Sequence, residues 1–281
     1  MSVYIRQNSS DQIYTKNTWC ILNPIEQSIK EKIERIGTPL KDWNINIYRG
    51  VLTGLNEAFI IDGTKKDELI AKDPKSVEII RPILRGRDIK RYSYDFADKW
   101  LINTHNGSKT QQRVDVNNYP AIKEHLDKFW DKLAKRDDQG DTPYNLRCCA
   151  YMDDFSKQKI VYSEIVQSPQ FYLDNGEFYI EATSFLLTGN NLEYLIACLN
   201  SKPISYFFKT FYAGGGLGEK GYRYKKAFLI NLPIPLLKNI DYKLDTFKTL
   251  IRNNNTKEID NIIYKIYQLS DSEIEYIEKL I

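Results

Sequence analysis

Isoleucines at positions 25, 29, 33 and 36 recur at the spacing of one helix face, which predicts a helix from Pro24 to Ile36. Asn23 is placed to cap it, Pro24 suits the first helical position, and Gly37 ends the run. A strand-rich stretch follows. Asn44 to Tyr48 alternates apolar and polar, and Glu57 to Ile61 is apolar and closes on the turn Asp62-Gly63. Val77 to Leu84 admits either helix or strand, and Lys99 to Asn103 reads as a short buried strand around Trp100. A second helix is predicted from Pro120 to about Arg136, with Ile122, Leu126, Phe129 and Leu133 as its apolar stripe, before a polar loop at Asp137 to Pro143.

From Lys159 the pattern is that of strands. Lys159 to Val166 is one, and Phe171 to Leu173 leads into Asp174-Asn175-Gly176, a strong hairpin signal. Phe178 to Leu187 continues as one or two strands, and Leu192 to Asn200 and Pro203 to Phe211 read as apolar, buried helices. Glycines at 214, 215, 216 and 218 follow, and Ala227 to Leu237 finishes in Pro233-Ile234-Pro235 as a helix end or a strand. The tail from Asp241 is helical with a break at Asn253-Asn254-Asn255, and Ser270 with Glu273 forms a capping box for the last helix. Trp43, Trp100 and Trp130 are expected in the core, while Ile25, Ile29 and Ile33 face either the core or a domain outside this chain.

Composition changes this picture little. With 281 residues, 42% hydrophobic and 27% charged, the chain suits one large domain or two small ones. No apolar run approaches the ~20 residues of a membrane span, and no signal segment opens the chain. The polar N-terminus starts abruptly, as a piece cut from a longer protein does. Cys20, Cys148, Cys149 and Cys198 form no C-x-x-C pair, and His105 and His125 complete no zinc pattern, so a metal site is not expected and a cytoplasmic location is.

Catalytic chemistry is sparse. An adenine methyltransferase motif is absent: the one Asn-Pro, at Asn23, caps a helix. The glycines near 214 lack the strand and helix that a phosphate cradle needs. Asp-x-Lys occurs at Asp73, Asp88 and Asp241, a three-residue match expected by chance; a degenerate nuclease site at Asp73 or Asp88 is the enzymatic alternative. What the chain does concentrate is cations with aromatics. RPILRGRDIKRYSY, from Arg81 to Tyr94, carries Arg85, Arg87 and Lys90, and KGYRYKK, from Lys220 to Lys226, carries Lys220, Tyr222 and Arg223. The loop from Thr104 to Asn118 offers Lys109, Gln111, Gln112 and Arg113. Lysine and arginine suit phosphates, and arginine, asparagine and glutamine suit base edges. Solvated surface charge is the competing explanation.

The order of these segments resembles the TaqI-like C-terminal specificity domain of adenine-specific DNA methyltransferases and Type IIG restriction–modification enzymes. The matching pieces are WNINIYRGVLTGLNEAFII from Trp43 to Ile61, RPILRGRDIKRY from Arg81, the helix opening at Tyr119-Pro120, Lys159-Ile160, Leu199-Asn200-Ser201, LINLPIP from Leu229 to Pro235, and IYQLSDSEIEYIEKLI from Ile266. The resemblance implies an α+β fold: a mixed β-sheet target recognition domain over 1–240 with packed helices, and a helical tail over 241–281. It implies double-stranded DNA as partner, with contacts expected from Arg49, Asn56, Arg85, Arg87, Lys90, Lys109, Gln111, Gln112, Arg113, Lys220, Tyr222 and Arg223. S-adenosylmethionine, and Mg if a nuclease is fused, are expected in an upstream methyltransferase domain that this chain lacks, so the chain alone is not expected to methylate or cleave. The alternative is a stand-alone specificity subunit that docks a separate methyltransferase.

Overall fold

The computed structural model describes residues 22–213 and 221–281, and its chain divides into two compact units. One spans Ile45–Leu192 without interruption; the other is built from the segments that flank it, up to Asn44 and from Glu193 onward. The fold is α+β. No described helix is long and apolar enough to cross a membrane.

The uninterrupted unit holds two four-stranded sheets. In the first, the strands Phe171–Asp174, Lys159–Ser163, Ser184–Gly189 and Ile45–Arg49 lie side by side and antiparallel, with Phe171 opposite Tyr162, Leu186 opposite Val161, and Phe185 opposite Arg49. In the second, Tyr179–Ile180 runs parallel to Ile80–Leu84, which pairs antiparallel with Lys99–Ile102, itself paired with Ile60–Asp62. Phe59, Ile83, Leu84, Leu101, Ile122, Leu126, Phe155, Val161, Ile180 and Leu186 belong to one buried cluster. Burial of that apolar area is the main force holding the unit together.

Departures from the sequence pattern have local causes. The apolar run at Glu57 opens as a helical turn, Asn56–Phe59, before the strand Ile60–Asp62. Thr53 Oγ1 accepts the Leu55 amide at 3.2 Å, and Ala58 and Phe59 are buried by the turn. Asp62-Gly63 is a helix start rather than a turn: Asp62 caps Gly63–Lys72 by accepting the Lys65 amide at 2.9 Å. The predicted Pro120 helix divides into Pro120–Asp127 and Trp130–Leu133 because the ladder tightens to an i−3 bond, Phe129 N to Leu126 O, at 2.9 Å. The kink carries Trp130 out of the core to 42% exposure.

Asn175-Gly176 makes no hairpin. Asp174 and Lys159, both fully buried, form an ion pair there. The Asp174 carboxylate also accepts the amides of Gly176, Glu177 and Phe178, at 3.2–3.3 Å, so the chain after it leaves for the second sheet. Lys159 also donates to Phe155 O at 2.6 Å, and burial pulls its ammonium below the usual lysine range.

The flanking unit is mostly helical, and the helix Pro24–Ile36 has the predicted bounds, with Asn23 and Glu26 forming a reciprocal cap. Ile29 and Ile33 are fully buried while Ile25 is 37% exposed. Leu232 to Pro235 threads this unit as a near-strand whose prolines donate nothing. Its carbonyls are met one by one: the Leu40 amide reaches Leu232 O at 3.1 Å, Tyr267 Oη reaches Pro233 O at 2.7 Å, Trp43 Nε1 reaches Ile234 O at 3.2 Å, and Tyr194 Oη reaches Pro235 O at 2.9 Å. A Cβ on Gly37 would collide with the Pro233 carbonyl, so only glycine fits that approach. The tail helices Leu244–Arg252, Thr256–Ile266 and Asp271–Leu280 belong to the same unit, through buried Phe247, Ile259, Ile263 and Ile277. Glu273 closes the capping box with Ser270 and pairs with Lys32 at 2.7 Å. The compact units therefore divide after 44 and after 192, whereas the sequence pattern set a boundary after 240; the tail packs on the first helix.

Candidate nucleic-acid interface

The candidate loops of the Ile45–Leu192 unit are tied together by two side chains that sequence patterns did not single out, Arg136 and Asn145. Arg136 follows the helical turn Trp130–Leu133 and spends its guanidinium on backbone carbonyls. It donates to Thr53 O, to Pro143 O at 2.8 Å and to Asn145 O at 2.7 Å, with its charge 5.0 Å from the Phe59 ring centre. Burial pulls the guanidinium below its ordinary value although the Asp138 charge works against that, and it forms no ion pair among the described residues. Asn145 is buried and sends its amide onward to Thr104 O and Val114 O, both at 3.1 Å. The turn at Thr53, the loop at 136–147 and both ends of the loop at 104–114 thus meet through these two residues.

The far end of the 104–114 loop is fixed separately. Gly107 adopts φ 94°, a left-handed conformation, and its amide donates to His105 Nδ1 at 3.0 Å. Burial, then Arg81, lowers the His105 pKa, which leaves Nδ1 free to accept at neutral pH. Asp153 accepts from Ser108 Oγ at 2.6 Å and Thr110 Oγ1 at 2.8 Å. Nearby, Tyr151 stacks on Tyr48 with ring centres 4.3 Å apart, and burial pushes its phenol up to about 12 although adjacent Arg49 works against that. This frame presents Lys109, Gln111, Gln112 and Arg113, all exposed.

The motif from Arg49 to Asn56 folds against the turn at 181–184. Arg49 Nε donates to Ala182 O at 2.8 Å, the Gly50 amide to Ser184 O at 2.8 Å, and the Val51 amide to Ile180 O at 2.7 Å. A Cβ on Gly50 would strike the Glu181 and Ile180 carbonyls, which explains a glycine in a strand-end position with no unusual φ. Asn56 is held from both sides, its Oδ1 by Thr53 Oγ1 at 2.5 Å and its Nδ2 on Glu181 Oε1 at 2.7 Å. An open cavity of about 250 Å³ lies here, lined by Asn56, Glu57, Ile60, Arg85, Lys99 and Glu181. Two of the segments that carried the sequence resemblance, Trp43–Ile61 and Arg81–Tyr92, therefore converge.

The expected contacts fare differently. Arg49, Arg87, Lys109 and Arg113 are exposed, and none takes part in an ion pair among the described residues. Arg85 needs correction. Its fork grips Asp88 with Nε–Oδ2 at 2.9 Å and Nη2–Oδ1 at 2.8 Å, and that bond raises its pKa. Burial works against the Asp88 carboxylate, but Arg85 outweighs it and holds Asp88 below its usual value. A committed, half-buried fork braces the segment's own turn instead of reaching a phosphate. Lys90 reaches Arg87 O at 2.7 Å and stands 3.7 Å from Asp95.

Tyr222 and Arg223 belong to the other unit. Tyr222 is 2% exposed and packs on Phe208 and Tyr224, so it is a core ring rather than a contact, and Arg223 is half-buried. Lys220 and the glycines at 214, 215, 216 and 218 lie outside the described residues. Asp73 caps a short 3₁₀ helix, accepting the Lys75 amide at 3.2 Å. Among the described residues no group of His, Cys, Asp or Glu is arranged to hold a metal ion, and Cys148, Cys149 and Cys198 are free thiols.

The same α+β arrangement recurs in solved restriction enzymes. The type IIG restriction endonuclease BpuSI superposes with a TM-score of 0.60 at 16% identity, over 91% of this chain and 31% of that one. The Type IIL restriction–modification enzyme MmeI, solved in complex with DNA, gives 0.59 at 12% identity, over 86% and 36%. At those identities the likeness is one of fold. Residues 81–234, more than half of the chain, match the TaqI-like C-terminal specificity domain, and the chain belongs to that family. It is also 25% identical over 277 residues to the Type II methyltransferase M.BstVI of Geobacillus stearothermophilus, covering 92% of this chain and 46% of the relative. The chain thus spans about half the length of that relative.

Proposed function

We propose that this chain reads a short sequence in double-stranded DNA for an adenine-specific methyltransferase of a restriction–modification system, of Type IIG where a nuclease is fused to it. The observation that carries the proposal is the loop frame itself. Arg136 and Asn145 bind three loops through backbone carbonyls, and Arg49, Lys109, Gln111, Gln112 and Arg113 are left exposed, the three cations without an ion-pair partner among the described residues. Unpaired cations can displace counterions from phosphates, while amide side chains on a rigid loop can read base edges. Family membership, the methyltransferase name of the relative and the DNA complex of MmeI support the same reading.

By this reading the chain contributes recognition and no catalytic step. S-adenosylmethionine, and Mg where a nuclease is present, are assigned to another portion of a longer protein. The test is selection from a pool of randomised duplexes. The chain is expected to enrich one sequence, with affinity that falls as salt rises. Recovery of an unchanged pool, with no retention at low salt, overturns the proposal.

A further inference from the structure

We infer that Glu181 reads a cytosine, accepting a hydrogen bond from the N4 amino group in the major groove, with Lys99 addressing the guanine of the same pair. This rests on the DNA-reading proposal above.

Glu181 is held as a reading residue must be. Its amide donates to Leu84 O at 2.9 Å, its carbonyl accepts the Ser184 amide at 2.9 Å, and it bridges to Val51. The side chain is set by Asn56 Nδ2 on Oε1 at 2.7 Å, and the Asn56 amide is itself oriented by Thr53 Oγ1. Oε2 accepts no hydrogen bond among the described residues, and the carboxylate lines the open cavity of about 250 Å³. Arg85 lines that cavity too, with its fork on Asp88; the Glu181 charge adds to the rise in its pKa, but the two form no ion pair. Lys99 lines it without an ion-pair partner among the described residues.

A carboxylate beside Arg49 and Arg85 weakens attraction to phosphates, so its presence on a DNA-facing surface costs affinity unless it meets a donor. Cytosine and adenine both offer an amino group in the major groove. Adenine sets the N7 acceptor beside it, which repels a carboxylate, whereas cytosine sets only C5–H there. The partner guanine presents O6 and N7, acceptors that suit the Lys99 ammonium.

The experiment selects duplexes from a randomised pool with the natural chain, Glu181→Gln and Lys99→Ala, after thermal melts confirm that each variant is folded. Glutamine keeps the shape and the bond from Asn56 but adds a donor, which suits adenine. The natural chain is expected to enrich a sequence containing an invariant C·G pair. In Glu181→Gln, discrimination at that single position should fall roughly tenfold or more and move toward A·T, with the other positions kept. Lys99→Ala should relax the same position. If the natural chain enriches a sequence and both variants enrich it unchanged, or lose every position equally, Glu181 only braces the Asn56 turn and the inference is wrong. If the natural chain enriches nothing, the DNA-reading proposal fails instead.

Discussion

Replacing Arg136 by methionine keeps the length of the side chain and its packing on Phe59 but removes its donors to the Thr53 turn and to the 143–145 segment. The bonds lost are those to Thr53 O, Pro143 O and Asn145 O. Hydrogen bonds from a charged donor contribute about 1.5–3 kcal/mol each. Two terms reduce the sum: the half-buried Pro143 segment regains water when released, and Arg136 Nε, buried without a partner in the native structure, no longer carries a desolvation cost. A net loss of about 3 kcal/mol follows, which for a domain of this size lowers the melting temperature by roughly 6–12 °C. Arg136→Lys, a single point donor, should recover less than half of it. The control is Arg147→Ala, which breaks an exposed pair with Asp138 and should cost under about 1 kcal/mol. Calorimetry on the three variants, followed by titration with duplex DNA, gives the answer. A melt of Arg136→Met within about a degree of the natural chain would show that the loops hold themselves, and the frame would lose its keystone.

Other outcomes follow from the same geometry. Lys159→Met leaves Asp174 charged, buried and unpaired, and urea unfolding should show a loss of about 3–5 kcal/mol, most of it regained in Lys159→Met/Asp174→Leu; equal loss in both variants would exclude the pair as cause. Gly50→Ala drives a methyl into the carbonyls of Ile180 and Glu181 and should cost about 1–3 kcal/mol, and a neutral effect would contradict the close approach. Glu273 gives the last helix a pH dependence. Burial raises its carboxyl, but Lys32, Ser28 and the Ser270 amide outweigh that and hold it below the ordinary value. A folded value below the unfolded one means stabilisation present above the unfolded pKa and lost as pH falls through the folded value, so protection of the Asp271–Leu280 amides, measured against their intrinsic exchange rate, should fall below about pH 4. Glu273→Gln should flatten that response.

Elements with a local cause were legible in the chain. The helix Pro24–Ile36 and the cap at Ser270 are written in side chains that bond to their own helix ends, and the bounds match. Elements set by distant partners were not. Nothing local in Asn175-Gly176 reveals that Asp174 will be claimed by Lys159 and by three amides, so the hairpin signal misleads. The site shows the same division. The family resemblance marked Arg49–Asn56 and charge density marked Arg81–Tyr94, but charge density cannot tell a free arginine from one gripped by Asp88, nor an exposed tyrosine from Tyr222 packed on Phe208. Arg136 and Asn145 carried no pattern, because their work is on backbone carbonyls up to 83 residues away.

The most direct measurement is a salt titration of duplex binding by fluorescence anisotropy, comparing a selected duplex with its scrambled counterpart and repeating it with Arg49→Ala and Arg113→Ala. If these cations meet phosphates, the logarithm of affinity falls linearly with the logarithm of salt, and each substitution lowers the slope by about 0.9. The selected duplex should keep its advantage over the scrambled one at every salt concentration. Binding that ignores salt, or that treats the two duplexes alike, would contradict the assignment of this chain as a reader of DNA sequence.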